Sequence, residues 1–89
     1  MDKQQLHGHL EELHAELQQT EPVDAHQREI IQGVTKNVQD VLETEADHPD
    51  QYSSLSERLN DAVAHLEASH PRATLLMRQV IDHLAFLGI

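Results

Sequence analysis

The stretch LHGHLEELHAEL, residues 6–17, decides how the whole chain is read. Its leucines stand at Leu6, Leu10, Leu13 and Leu17, at spacings of four, three and four, with mostly polar residues between them. Apolar residues at that period mark one face of an α-helix, and a stripe this narrow has the form of a coiled-coil seam. The spacing predicts a helix over 3–19. Thr20-Glu21-Pro22 ends it, because the residue before a proline is disfavoured in the helical region.

The same period continues outward. Ile30, Ile31, Val34, Val38, Val41 and Leu42 place a second helix over 24–43, with Asp24 and Gln27 in the form of a capping pair. The branched residues are common in strands, but the helical spacing and the twenty-residue run favour helix. Gly33 interrupts it, either to let a neighbour approach or as a tolerated exposed glycine. Tyr52, Leu55, Leu59, Ala62, Leu66 and Ser69 set a third helix over about 51–68. The fourth, over 71–87, carries Ala73, Leu75, Leu76, Met77, Val80, Ile81, Leu84, Ala85, Phe86 and Leu87, more than one stripe holds. It is expected to touch neighbours on two sides. No segment alternates as a strand does. The expected architecture is a single all-α domain over 1–89, antiparallel helical hairpins forming a four-helix-bundle-like unit with coiled-coil-type seams. The core and interface positions are Leu6, Leu10, Leu13, Leu17, Leu55, Leu59, Leu66, Val80, Leu84 and Leu87.

Composition narrows the function. Eighty-nine residues with 38% hydrophobic content, and only Tyr52 and Phe86 aromatic, make a thin aliphatic core. Self-association is the usual remedy, so a homo-oligomer is expected. Sixteen acids against six bases give a net charge of −10, which repels phosphate backbones and anionic membranes. Residues 1–67 carry fifteen acids and four bases. Residues 68–89 carry only Asp82 against Arg72 and Arg78, which suggests that this last segment is buried. Direct nucleic-acid binding and membrane insertion are not expected. With no cysteine there is no disulfide framework or thiolate site. The spaced leucines near the N-terminus do not read as a signal peptide, so the expected address is the cytoplasm.

The stretch Leu66-Glu67-Ala68-Ser69-His70-Pro71, followed by Leu76, Val80-Ile81, Leu84-Ala85 and Gly88-Ile89, resembles the small bacterial helical proteins of the uncharacterised domain-of-unknown-function family 4404. Their C-termini similarly run Glu, two residues, His-Pro, then an apolar helix ending in Gly-Ile. The resemblance implies a cytoplasmic bacterial helical protein. It brings no activity and no functional residue with it.

Eight histidines are the chain's oddest feature. His7, Glu11 and His14 share a helical face, and imidazole with carboxylate at that spacing suits Zn²⁺ or Ni²⁺ once a further ligand arrives. The plainer reading, solvated polar residues, is preferred, so no metal or other cofactor is expected. The histidines are expected to titrate as exposed groups. His70 is expected to fix the turn before Pro71. Asp40, Glu43, Glu45, Asp47 and Asp50 surround a loop, yet the sixth and twelfth positions from Glu43 are His48 and Ser54, so no EF-hand is present. Ser53, Ser54 and Ser56 lack a nucleophile elbow. The expected function is a small acidic helical protein-interaction or self-assembly module, not an enzyme, with any other protein partner unknown. Its rivals are an acidic regulator or nucleic-acid mimic on a partner's basic surface, and a histidine/carboxylate metal-binding protein.

Overall fold

The computed structural model describes residues 3–44 and 49–86, and every regular element among them is an α-helix. The helices are α1 (Lys3–Gln19), α2 (Ala25–Glu43), α3 (Pro49–Leu66) and α4 (Pro71–Phe86), each about 24–29 Å long at 1.5 Å per residue. They pack in a ring. α1 lies against α2 and α4, and α3 lies against α2 and α4, while α1 and α3 stand diagonally across the core, their backbones farther apart than those of the four neighbouring pairs. The radius of gyration is 12.1 Å, matching the roughly 12 Å expected of a compact 89-residue chain. No helix among the described residues is long and apolar enough to cross a membrane.

Local chemistry sets the boundaries. Asp24, in extended backbone, caps α2 by accepting a 2.8 Å hydrogen bond from the Gln27 backbone N–H. Thr20 and Thr44 close α1 and α2, their hydroxyls donating to the carbonyls of Glu16 (2.8 Å) and Asp40 (2.7 Å). α3 starts at Pro49, within two residues of the expected start, because proline is pre-set for a first helical position that needs no N–H. It stops at Leu66, where the His70 N–H bonds back to the Leu66 carbonyl at 2.8 Å. α4 then begins at Pro71 with the His70 carbonyl accepting from the Thr74 N–H at 3.1 Å.

The core is one aliphatic cluster. Leu6, Leu10, Leu13 and Leu17 of α1 meet Ile31, Val34, Val38 and Val41 of α2, Leu55, Leu59, Ala62 and Leu66 of α3, and Ala73, Leu76, Met77, Val80 and Leu84 of α4, all of them buried. Ile30, Leu42, Tyr52, Val63 and Ile81 pack partly buried against it. Leu87, with Glu45, Asp47 and the terminal Gly88-Ile89, lies outside the described residues. α4 does touch two neighbours, α1 and α3, but its apolar content is not all inside: Leu75 and Phe86 stand exposed. The expectation of a buried last segment therefore holds for the inner face of α4 and is corrected for its outer face. Five apolar residues are enough to cover the inner stripe.

The two described glycines differ. Gly33 lies under the Arg58 guanidinium, whose Nη1 would stand 2.5 Å from an added Cβ. A Cβ at Gly8 would meet nothing within 4 Å. Gly8→Ala is therefore expected to stabilise the fold by about 1 kcal/mol through helix propensity alone, raising the melting midpoint by roughly 4–8 °C. An unchanged or lower midpoint in a thermal melt would contradict this.

Candidate functional site

The histidines were the strongest lead in the sequence, and the helices arrange them in three ways. On α1, His7 Nε2 sits 2.9 Å from Glu11 Oε1, both side chains half or more exposed. His14, seven residues or about 10 Å along the axis from His7, stays outside that pair. Among the described residues no group of three or more His, Cys, Asp or Glu is placed to hold a metal ion.

Two further pairs join different helices. His26 of α2 and His65 of α3 meet edge to face with ring centroids 5.1 Å apart, and Asp61 Oδ1 lies 3.6 Å from His65 Nε2. His9 of α1 and His83 of α4 meet at 5.3 Å, also edge to face. His83 is only 2% exposed, which overturns the expectation that the histidines are solvated. Neither of its ring nitrogens has a hydrogen-bond partner, nor has His9 Nδ1. The cause lies in the register of α4: His83 follows Val80 by three and Leu76 by seven, so it is carried onto the buried side facing α1. A polar group buried without a partner costs about 1–3 kcal/mol. His83→Leu, close in volume and free of polar atoms, is expected to raise stability by about 1–2 kcal/mol. A lower urea midpoint for that variant would show that the ring is satisfied after all.

His70 is structural, held by a network that starts at Gln27. The Gln27 side chain is nearly buried. Its Oε1 accepts from the Val23 N–H at 3.2 Å and lies 3.2 Å from His70 Nε2, while its Nε2 donates to Ser69 Oγ at 2.9 Å. With Oε1 as acceptor, the His70 tautomer that fits carries its proton on Nε2. One amide thus ties the start of α2 to the turn between α3 and α4. The Asp24–Gln27 pair was visible as a cap. Its reach to residues 69 and 70 was not.

The remaining feature is the outer face of α4. Leu75 is 53% and Phe86 67% exposed, and a shallow pocket beside them is lined by His9, Gln79, Asp82, His83 and Phe86. Both arginines of α4 are engaged at its flanks, Arg72 Nε with Glu16 Oε1 at 3.0 Å and Arg78 Nη2 with Glu67 Oε1 at 2.6 Å. The face between them carries the exposed Leu75 and Phe86 together with the exposed Gln79 and a single carboxylate, Asp82. Val23, also exposed, stands alone in the turn before α2. Scattered apolar residues of that kind are normal. The sequence marks α4 as broadly apolar, but only packing shows which of its residues the fold leaves uncovered.

The model of a protein family described as domain of unknown function DUF4404 matches residues 6–89. No curated protein and no solved structure matches.

Proposed function

The chain belongs to the DUF4404 family, a membership that assigns no activity, and from that premise we propose that it is a non-catalytic protein-interaction module that works by self-assembly. The observation that carries this reading is the pair Leu75 and Phe86, large and exposed on the least charged helix of an acidic chain. Exposed apolar surface rimmed by polar groups marks contact sites. The bundle behind it is read as an antiparallel four-helix unit with coiled-coil-type seams. In support, Glu16 meets Arg72 while the earlier His9 meets the later His83, as expected of α1 and α4 running in opposite directions. A cysteine-free acidic chain fits a cytoplasmic setting.

Native mass spectrometry of the purified protein, washed at low and at high salt, tests the proposal. The expected result, at high protein concentration, is a homo-oligomer at both, with the larger share at high salt. A single chain that keeps a basic protein at low salt and sheds it at high salt would replace this reading with the acidic-regulator one, since contacts between opposite charges are screened by salt.

A further inference from the structure

The self-assembly reading, on which this inference rests, leaves the surface and register open. We propose that a second copy of this chain docks on the outer face of α4 about a two-fold axis at Gln79, Leu75 of each copy seating in the pocket of the other. At 100° per residue, Leu75, Asp82 and Phe86 fall within about 40° of one another around α4, on the side opposite the buried Leu84. Two of the three residues on the midline of a solvent face are therefore large and apolar. The pocket beside them is lined on α4 by Gln79, Asp82, His83 and Phe86. Those are positions i, i+3, i+4 and i+7, the four residues that form the hole for a knob in helix–helix packing. His9 of α1 supplies its further wall.

A knob for that hole must be apolar, exposed and carried on a helix, and Leu75 is all three. For two antiparallel copies of α4, a Leu75 knob level with residues 82 and 83 puts the symmetry axis midway between, beside Gln79. The register closes on itself, as a two-fold interface requires. Each Leu75 then reaches the other copy's Phe86, and the two Gln79 amides, each holding both donor and acceptor, pair with one another at the axis.

Charge selects the same occupant. Two chains of net charge −10 repel over most of their surfaces. Residues 68–89 carry one acid and two bases, and those bases are already engaged with Glu16 and Glu67. A basic partner would find little there to bind, whereas a second copy meets its least repulsive face. A 16-residue helix, about 24 Å long, is too short to supply a standard interface alone. The dimer is therefore a weak one, populated at high protein concentration.

The chain has no cysteine, so one introduced thiol reports without interference. A Gln79→Cys chain is expected to form a disulfide-linked dimer under mild oxidation, far faster than a Gln18→Cys control on the exposed side of α1. Adding Leu75→Asp, or Phe86→Asp, to the Gln79→Cys chain should abolish that cross-link. It should also weaken the dimer about 100-fold, tenfold for each 1.4 kcal/mol lost at two symmetric contacts. Both side chains are exposed, so denaturant midpoints of the monomer should not move. A dimeric parent whose Gln79→Cys chain cross-links no faster than the control would overturn this face and register alone. A parent that stays monomeric at high concentration would overturn the self-assembly reading with it.

Discussion

A Leu84→Ala chain is expected to be about 2–5 kcal/mol less stable than its parent, and a Leu84→Asp chain to have no cooperative folded state. Leu84 is completely buried, within the cluster that joins all four helices. Truncating it loses the transfer free energy of the removed atoms and leaves a cavity lined by side chains that cannot fully collapse. The loss is a large share of the roughly 5–10 kcal/mol available to a domain of this size. An aspartate in its place is an unpaired carboxylate in a dry core, costlier still. Gln18→Ala, exposed on α1, should change stability by less than about 0.5 kcal/mol. Urea denaturation of the three variants against the parent decides it. A Leu84→Asp chain that melts like the parent would mean that α4 is not part of the core.

The second large effect is expected at Gln27. Gln27→Ala removes the side-chain bonds to Val23, Ser69 and His70 and leaves their polar atoms to find water in a partly buried turn. At about 1 kcal/mol for each bond, the expected loss is about 2–3 kcal/mol. The Asp24 cap, which bonds the Gln27 backbone N–H, survives the change. A loss confined to cap size, or no loss, would mean that the start of α2 and the turn before α4 are not coupled. Hydrogen exchange at the Val23 and His70 amides separates the two outcomes, since uncoupling should leave exchange at both unchanged.

Much of this architecture is legible in the sequence because the period of an α-helix is local. The Leu6–Leu17 and Leu55–Leu66 stripes appear in the core where their spacing puts them. Proline and capping chemistry mark the ends to within a residue or two. What depends on how one helix lies beside another is not legible. His9 and His83 are seventy-four positions apart, and nothing local says that α1 and α4 bring their rings together. Gln27 reads as half of a cap, although most of its bonds run elsewhere. Leu75 and Phe86 read only as members of an apolar set wider than one stripe, expected to touch neighbours on two sides, and the spacing does not say which of that set stays uncovered. Composition cannot distinguish a helix covered by its own chain from one that keeps apolar surface for another.

The proposed dimer brings an acidic chain against its own kind through the nearly neutral outer face of α4. Its most direct test is the self-association constant measured by sedimentation equilibrium at about 0.05 M and about 0.5 M salt, where the screening length falls from well over 10 Å to a few ångströms. The predicted result is a species of twice the 10.1 kDa chain mass whose association tightens as salt rises, because screening relieves the repulsion between two copies of charge −10. Association that weakens with salt, or a single-chain mass at every concentration, would contradict it.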